Sequence, residues 1–357
     1  MALSIKDLLQ TAVQRRASDL HLTVGLPPQL RIDGTLTPLP FAPLIDDQSR
    51  DLAYQLLEPA QITRFEQFKE LDAGYSLKGL SRFRLNIYRQ RGSVAAAIRV
   101  VPFQVPTIED LGLPQIFKDF AGRPTGLFIV SGPTGCGKST TLAAMLEFIN
   151  QQRNCHIVTV EDPIEYLHHH KKATINQREV GTDTFSFREA LRHLVREDPN
   201  VIMVGEMRDL ETMSASLTLA ETGHLVLTTL HTSDAMHAIQ RIVDVFPPYQ
   251  QPQIRLQLSL VLAGIAVQCL LPKATGQGRV AACEVMVATP AVGNMIRENE
   301  LEQLRSVLQT GRKLGMCTMN QSFADLHLKE IVTWEEVYRR SPDPEELSNL
   351  VKSAIKR

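Results

Sequence analysis

GPTGCGKST, from Gly132 to Thr140, is the stretch that decides the fold of this chain. It fits the template G-x-x-x-x-G-K-[ST], in which glycines let backbone N–H groups close around phosphate oxygens. In that template Lys138 is expected to reach the β- and γ-phosphates, and the hydroxyl of Ser139 to ligate Mg²⁺. An ordinary glycine turn before a helix is the alternative interpretation. The residues predicted to hold a nucleotide are Gly132, Pro133, Thr134, Gly135, Cys136, Gly137, Lys138, Ser139 and Thr140.

Both flanks of this loop have the pattern that phosphate binding requires. Upstream, GLFIVS at 126–131 is a short apolar run typical of a buried parallel strand. Downstream, apolar residues recur on one face of a helix at i, i+3, i+4 and i+7, namely Leu142, Met145, Leu146 and Ile149. The order of strand, glycine loop and helix therefore favours a nucleotide site, to which the helix N-terminus adds its positive dipole end.

The composition is that of a soluble globular protein of about two domains. The chain has 357 residues, of which 43% are hydrophobic and 22% charged, and its formal net charge is −1. Because Lys and Arg are not in overall excess, no nucleic-acid partner is expected. The start, MALSIKDLLQ, has the character of a charged amphipathic segment and not of a signal peptide. No apolar run approaches the roughly 18 residues that span a bilayer.

Cysteines and histidines give no sign of a metal centre. The five cysteines are scattered without a C-x-x-C pair, so we expect neither structural zinc nor a disulfide framework, as in a reducing cytosol. Cys136 lies at a loop position that accepts many small residues and is assigned no catalysis. The tract HHHKK at 168–172 lies in a polar loop and is predicted to face solvent.

Residues 1–101 are predicted to form a separate α+β domain. Its most informative part is a pair of strands at 81–89 and 94–101, in which apolar and polar residues alternate. A solvated sheet face is the simpler interpretation of the polar side, and a cationic face that approaches phosphates is the other. The arginines of this hairpin region, largely on its polar side, are Arg82, Arg84, Arg89, Arg91 and Arg99.

After a proline-marked linker at 102–114, the sequence alternates strand and helix through 115–357. This alternation is typical of an α/β fold with a largely parallel sheet covered on both faces. The predicted core strands lie at 126–131, 156–160, 201–204 and 225–229. Helices are predicted at 250–267, 290–309, 321–329 and 333–339.

Polar residues follow the core strands at their carboxyl ends, where ligands bind in open α/β sheets. This convergence is difficult to explain without a Mg²⁺–nucleotide site. The side chains that the later strands add to the phosphate loop are Glu161, Asp162, Glu165, Glu206 and His231, with His224 just before the last strand.

A triphosphate with Mg²⁺ needs a carboxylate for the metal and a group that orients the attacking water. Glu206 is predicted to orient the water, and an acid that complements a helix dipole is the alternative. Glu161 and Glu165 compete for the metal or for a polar network, and one of them is expected to be a solvated loop carboxylate. His224 and His231 are predicted to sense the γ-phosphate or to orient Glu206, against the plainer interpretation of structural histidines. The candidate metal ligands are Ser139, Glu165 and Glu206.

Four segments give the chain a resemblance to the type IV pilus retraction ATPases of the secretion ATPase superfamily of P-loop NTPases. GPTGCGKSTTLAAML, VEDPIEY, REDPNVIMVGEMRDLET and AETGHLVLTTLHT are similar to the Walker A, Asp box, Walker B and His box of that family. ASDLHL, RFRLN and GRVAACEVM are also similar, so the resemblance covers essentially the whole chain. Glu165 matches the Asp-box acid, Glu206 the Walker B acid, and His224 and His231 the His box.

The resemblance implies a PAS-like N-terminal domain and a RecA-like ATPase domain. It implies a homohexameric ring at the cytoplasmic face of the inner membrane, with ATP and Mg²⁺ between domains. In such rings arginines of the N-terminal domain reach the phosphates, and the matching residues here are Arg84 and Arg99. The implied partners are an inner-membrane platform protein of the pilus machine and a paralogous ATPase.

The predicted function is ATP-driven pilus retraction, which powers twitching motility. The alternative is an accessory, weakly active ring subunit that supports a paralogous motor. It is prompted by AVGNMIRE at 291–298, where retraction ATPases carry a segment like AIRNLIRE, so that Val292 and Gly293 replace Ile and Arg. A RecA-type nucleic-acid motor is disfavoured by the near-neutral charge and the lack of an evident basic–aromatic groove.

Overall fold

A computed structural model describes residues 3–32, 34–101 and 105–355. The chain divides into two compact units. The first comprises Met1–Gln104 together with Pro163–Leu167 and Gly181–Asp183, and the second comprises Val105–Asp162, His168–Val180 and Thr184–Arg357. No helix formed by the described residues is long and apolar enough to cross a membrane.

The described residues of the first unit form an antiparallel sheet with three helices. Its strands lie across the sheet in the order β3-β2-β1-β6-β5-β4, and every neighbouring pair is antiparallel. The strands are β1 (Asp19–Leu22), β2 (Gln29–Ile32), β3 (Thr35–Pro38), β4 (Glu70–Leu77), β5 (Ser81–Gln90) and β6 (Ser93–Val101). The helices are α1 (Ile5–Gln14), α2 (Asp46–Tyr54) and α3 (Pro59–Phe68).

The hairpin of β5 and β6 confirms the predicted alternation. Phe83 and Leu85 are fully buried in the core of the first unit, whereas Arg84 between them is partly exposed. Arg89 differs from the other four arginines of the hairpin, because it falls in the alternation with the buried residues of β5. Its guanidinium lies 5.8 Å from the ring centroid of Phe65 instead of joining the polar face.

The second unit is a seven-stranded sheet with helices. The strands are β7 (Gly126–Ser131), β8 (His156–Glu161), β9 (Thr174–Glu179), β10 (Val201–Val204), β11 (Leu225–Thr229), β12 (Leu262–Pro272) and β13 (Arg279–Val287). The helices are α4 (Ile116–Gly122), α5 (Lys138–Gln152), α6 (Phe187–Leu194), α7 (Leu210–Glu221), α8 (Ala235–Asp244), α9 (Gln251–Val261), α10 (Pro290–Glu298), α11 (Leu304–Thr310), α12 (Met319–Leu328), α13 (Trp334–Arg340) and α14 (Pro344–Ile355).

The strand order of this sheet is β13-β12-β7-β11-β10-β8-β9. The pairs from β12 through to β9 are parallel, and β13 joins β12 as an antiparallel edge. The four predicted core strands are confirmed, and their parallel direction brings their carboxyl ends to one edge. The phosphate loop follows β7 at this edge, directly before α5.

The predicted helix at 250–267 is wrong in its second half. The helix ends at Val261, and Leu262–Pro272 continues as a strand that pairs with β7 on one side and β13 on the other. Because both faces of this strand are buried, its sequence is apolar almost throughout, and such a run does not distinguish a strand from a buried helix. Strands β9 and β13 were also not predicted.

The linker predicted at 102–114 lies partly outside the described residues, namely at 102–104. Its later part is not a loose connection, because Ile108 and Leu113 are buried in a core cluster of the second unit. A short turn occupies 108–112 between these two residues. The chain is therefore already anchored to the second unit before α4 begins.

Candidate functional site

The phosphate loop of the second unit has a backbone that only glycine allows at its first position. Gly132 has a φ of +136°, and a Cβ built on it would lie 2.5 Å from the carbonyl oxygen of Gln268 and 2.8 Å from Sγ of Cys136. Gly135 and Gly137 also have positive φ values, of +81° and +92°. At these glycines no side chain covers the loop, so its backbone N–H groups are free to form a cradle around phosphate oxygens.

The ammonium group of Lys138 is folded back over its own loop. Nζ donates to the carbonyl oxygen of Gly132 at 2.8 Å and to that of Pro133 at 3.2 Å. Burial lowers the pKa of Lys138, although the nearby Glu206 carboxylate opposes this effect. The loop carbonyls hold the charge at the mouth of the cradle, where a phosphate would compete for it.

His231, two residues beyond β11, lies between this lysine and the acid of the next strand. Its Nδ1 is 3.4 Å from Nζ of Lys138, and its Nε2 is 3.3 Å from Oε1 of Glu206. Because an ammonium can only donate, Nδ1 acts as the acceptor, and the ring proton of the neutral form lies on Nε2. The imidazole thus links the phosphate loop to Glu206 through both of its nitrogens.

The backbone around Glu206 is held on both sides by one residue of β11. The hydroxyl of Thr229 donates to the carbonyl oxygen of Gly205 at 2.6 Å, and the N–H of Met207 donates to the carbonyl oxygen of Thr229 at 3.2 Å. Glu206 lies between these two contacts, beyond the end of β10. The backbone position of Glu206 is therefore fixed by these contacts with β11.

The Glu206 carboxylate has a second cationic neighbour, Arg208, which sequence analysis missed. Nε of Arg208 lies 2.7 Å from the same Oε1 that faces His231. Burial on its own would raise the pKa of Glu206, but the hydrogen bond and charge of Arg208, together with the charge of Lys138, lower it. Glu206 is therefore held in its ionised form. The signal for Arg208 was its place in GEMRD, two residues beyond the acid in an extended segment.

Glu161 and Glu165, the two glutamates of the VEDPIE segment, fall in different units. Glu161 ends β8 in the second unit, is buried, and accepts hydrogen bonds from Oγ1 of Thr159 at 2.7 Å and from Nε2 of Gln177 at 3.0 Å. Glu165 belongs to the first unit, where its Oε1 is 3.7 Å from Nη1 of Arg84. Of the two, Glu161 has the polar network, and Glu165 is the partly exposed carboxylate.

Arg84 and Arg99 are cross-strand neighbours on the open face of the first unit's sheet. Arg99 is 62% exposed at its side chain and donates from Nε to Oδ1 of Asp19 at 3.0 Å. Asp19 is itself paired with Arg99 across β1 and β6, which makes it the residue that orients this guanidinium. Sequence analysis missed Asp19, and the signal was its alternation with His21 in ASDLHL.

Three comparisons with known proteins find chains that are similar to this one over most of its length. The model of the type II/IV secretion system protein family matches residues 93–339. The chain is 46% identical to the type IV pilus retraction ATPase PilT of Pseudomonas aeruginosa, over 96% of this chain and 99% of that protein. It is 37% identical to the type IV pilus ATPase PilU of the same organism, over 98% and 92%. A crystal structure of the pilus retraction motor PilT with bound ADP superposes with a TM-score of 0.91 at 47% identity, over 97% of this chain and 99% of that one.

The chain belongs to the PilT-like retraction ATPases of the type II/IV secretion family. Its fold is the predicted one, an N-terminal α+β domain followed by a RecA-like domain, and its enzymatic class is that of an ATPase. Binding of a nucleotide is a property of this family, since the solved PilT carries ADP.

Of the two histidines matched to the family's His box, only His231 lies at the phosphate-loop edge of the sheet. His224 precedes β11, and the strand register places the following residue, Leu225, opposite Gly126 at the start of β7. Seven residues of extended chain separate the two histidines by roughly 20 Å. Nδ1 of His224 lies 2.9 Å from the carbonyl oxygen of Leu219, at the end of α7. Within this unit His224 therefore lies at the opposite edge of the sheet from the phosphate loop, and its role in a nucleotide site stays a prediction.

The tract at 168–172 is only partly solvent-exposed. The side chain of His168 is 2% exposed, and its Nδ1 lies 3.4 Å from Oε2 of Glu147 on the phosphate-loop helix α5. Lys171 pairs with Oε1 of the same carboxylate, whereas His169 and His170 are exposed as predicted. The tract anchors its loop to α5.

The residues present fit a magnesium nucleotide in one respect that this structure can test. Ser139 is exposed in the first turn of α5, beside the loop whose first glycine, Gly132, leaves no room for a Cβ. Among the described residues, no group of three or more His, Cys, Asp or Glu could hold a metal ion by itself. Of the three predicted metal ligands, Ser139 and Glu206 lie in the second unit and Glu165 in the first.

Proposed function

We propose that this chain is a motor ATPase that drives retraction of type IV pili. The proposal rests mainly on the Lys138–His231–Glu206 series of contacts. This series joins the phosphate loop to an ionised carboxylate that can bind the attacking water. The retraction role is supported by the 46% identity to PilT over nearly the full length of both chains.

Each residue of this series has a role that its contacts suggest. The backbone N–H groups of the loop and the Lys138 ammonium bind the β- and γ-phosphates, and the Ser139 hydroxyl holds Mg²⁺. When bound, the metal neutralises the charge of the phosphates. Glu206 orients and deprotonates the attacking water. Because Arg208 and His231 both contact Oε1, we assign Oε2 to the water.

Arg84 and Arg99 are proposed to contact the phosphates of a nucleotide bound within a homohexameric ring. The support is their placement as neighbours on an open sheet face, together with the resemblance of RFRLN to the family's motif. The contact of Glu165 with Arg84 suggests that the main role of Glu165 is to position this arginine and not to bind a metal. Exchange of Arg99 between Asp19 and a phosphate would couple nucleotide state to the N-terminal domain.

The remaining features of the proposal come from the family. We propose domain limits of 1–101 and 115–357 with a connection at 102–114, and a ring at the inner face of the inner membrane. The proposed partners are the membrane platform protein of the pilus machine and a paralogous ATPase. A hexamer predicts a particle of six times 39.9 kDa for the purified protein in light scattering.

An accessory role beside a paralogous motor is the second candidate. It is favoured by Gly293, which lies in the interior of α10 where retraction ATPases carry an arginine, and by the 37% identity to PilU. Gly293 is buried, and a Cβ built on it would lie 3.4 Å from the carbonyl oxygen of Ser259 on α9, at the tight end of ordinary van der Waals contact. Glycine at this position therefore lets α10 lie close to α9.

The two candidates are separated by deleting this chain from cells that keep the paralogue. Loss of pilus retraction supports the motor, because an accessory subunit would leave the paralogue able to retract. Retraction at a wild-type rate supports the accessory role. Restoring the family arginine with Gly293→Arg is expected to leave ATP turnover unchanged within about twofold, since α10 does not contribute to the Lys138–His231–Glu206 series.

A further inference from the structure

Ser131 is the last residue of β7 and directly precedes the phosphate loop. It is fully buried, and its hydroxyl contacts a single residue of the neighbouring segment, Thr232. The N–H of Thr232 donates to Oγ of Ser131 at 2.9 Å. The Ser131 hydroxyl also lies 2.8 Å from Oγ1 and 3.1 Å from the carbonyl oxygen of Thr232. One hydroxyl therefore satisfies both the N–H and the polar side chain of Thr232.

This contact lies immediately after His231. On the other side of the histidine, the N–H of Leu230 donates to the carbonyl oxygen of Val130 at 3.1 Å. The residues on both sides of His231, Leu230 and Thr232, therefore bond to the end of β7 through their backbone N–H groups. The first bond continues the sheet, whereas the second depends on the side chain of Ser131. The segment remains anchored farther along, where the N–H of Ala235 donates to Oε1 of Glu284 at 2.9 Å.

The imidazole has little tolerance for displacement. Its two contacts, at 3.4 Å to Lys138 and 3.3 Å to Glu206, are already at the long end of hydrogen-bond distances. A shift of a few tenths of an ångström along the line between these partners breaks one contact, and a sideways shift breaks both. A constraint on the backbone of residue 232 therefore decides whether His231 links the loop to the acid.

We propose that Ser131 is a positioning residue that holds His231 in line between Lys138 and Glu206. The proposal rests on the proposed ATPase role of these three residues. Ser131 touches neither the cradle nor the carboxylate, and it acts through the backbone of Thr232. Its hydroxyl thereby couples the phosphate loop, through His231, to Glu206 beyond β10.

The matched control is Thr228 on β11, the strand beside Ser131. Its Oγ1 is buried and has no hydrogen-bond partner among the residues that the structure describes. Thr228→Val therefore removes a buried hydroxyl of the same sheet without removing a contact to the His231 segment. Turnover in this variant is expected to stay within about twofold of wild type.

The test compares ATP turnover and ADP affinity in Ser131→Ala, Ser131→Thr, Thr228→Val, His231→Ala and the double variant Ser131→Ala/His231→Ala. Ser131→Ala is expected to lower kcat by about tenfold or more, since small misplacements of a site residue have effects of that size. The Kd for ADP should change by less than about threefold, and Ser131→Thr, which keeps the hydroxyl, should recover most of the turnover. The double variant should be no slower than His231→Ala, because both changes remove the same link.

Three results would overturn the proposal: additive losses in the double variant, an equal loss in Thr228→Val, or a loss of ADP affinity as large as the loss of kcat. Where Ser131→Ala does not fold, Ser131→Cys keeps the volume and weakens the acceptor, and it must show the same failure of additivity with His231→Ala.

Turnover by the wild-type protein tests the proposed function, and the ratios between variants test Ser131. A second readout is independent of turnover. Amide hydrogen exchange over 230–235 is expected to rise in Ser131→Ala and to stay unchanged in Thr228→Val. Unchanged exchange in Ser131→Ala would overturn the positioning role even in a protein that hydrolyses no ATP.

Discussion

Nε2 of His231 lies 3.3 Å from Oε1 of Glu206, and the same ring directs Nδ1 towards the ammonium of Lys138 at 3.4 Å. A neutral imidazole in this place accepts a hydrogen bond at Nδ1 and donates one from Nε2. A γ-phosphate that draws Lys138 away would break the contact at Nδ1. The imidazole would then shift and change its contact with Glu206, which orients the water. Binding and reaction are connected by one side chain.

The role of Glu206 predicts the behaviour of Glu206→Gln. The amide keeps the size of the side chain but cannot accept a proton from water, so kcat for ATP hydrolysis should fall by at least about a hundredfold. ADP affinity should change by less than about threefold, because the phosphate cradle is untouched. Steady-state turnover and fluorescent ADP titration measure the two effects. Near-normal hydrolysis would remove Glu206 from its assigned role.

The two histidines matched to the His box predict opposite outcomes. His231→Gln should lower kcat by roughly tenfold to a hundredfold, because the link between Lys138 and Glu206 is lost. His224→Gln should leave kcat within about twofold and lower stability by about 1 kcal/mol, the usual effect of a lost hydrogen bond. Turnover and urea denaturation of both variants provide the measurement. Equal losses of turnover would contradict the structural role of His224.

The sequence predicted the strand and helix that flank the phosphate loop because their signals are local. A glycine loop between an apolar strand and an amphipathic helix has one structural solution, and β7, the loop and α5 follow it. Glu206 and His231 were also found, since each follows a parallel core strand on the carboxyl side. A residue lies at the phosphate-loop edge of the sheet only when it follows the carboxyl end of its strand. His224 precedes the amino end of β11 and so lies at the other edge.

The remaining features depended on contacts that no local pattern contains. The run after Val261 became a strand because β7 and β13 enclose it on both sides, and its own sequence does not reveal those neighbours. His168 was taken for a solvent-exposed residue of a polar tract, although Glu147 on α5 draws it into the protein. Arg208 and Asp19 were missed because each acts on another predicted residue and not directly on a ligand.

The two glycines Gly132 and Gly135 are predicted to differ sharply as alanines. In Gly132→Ala the new Cβ would lie 2.5 Å from the Gln268 carbonyl oxygen, so the loop must distort and ADP affinity should fall by at least about a hundredfold. A Cβ at Gly135 meets nothing within 4 Å, so Gly135→Ala carries only the strain of its positive φ, about 1 kcal/mol. Isothermal titration with ADP distinguishes them. Similar affinities in the two variants would contradict this account of the cradle.

The contacts of Glu147 predict how stability depends on pH. Burial alone would raise its pKa, but hydrogen bonds from His168, Lys171 and Gln151, with the charge of Lys171, bring it to about 2 from an ordinary value of 4.5. Because the folded state favours the carboxylate, this stabilisation is complete above about pH 4.5 and is lost as the pH falls towards 2.

Glu147→Gln should therefore lose less stability than wild type between pH 5 and pH 3. We expect a difference on the order of 1 kcal/mol, because full linkage over this pH range gives roughly 2 kcal/mol and the exposure of Lys171 to solvent reduces it. Urea unfolding at several pH values measures it. The matched control is Glu298→Gln, an exposed acid at the end of α10, which should follow the wild-type pH dependence. Parallel curves for wild type and Glu147→Gln would show that the pairing does not operate.

Complementation tests the central claim most directly, that ATP bound at this phosphate loop powers pilus retraction. Cells that lack their own retraction ATPase would receive the wild-type chain or Lys138→Ala at matched expression, and the retraction of labelled pili would be scored by microscopy. The account predicts that the wild-type chain restores retraction and that Lys138→Ala does not. Failure of the wild-type chain, or retraction restored by Lys138→Ala, would contradict it.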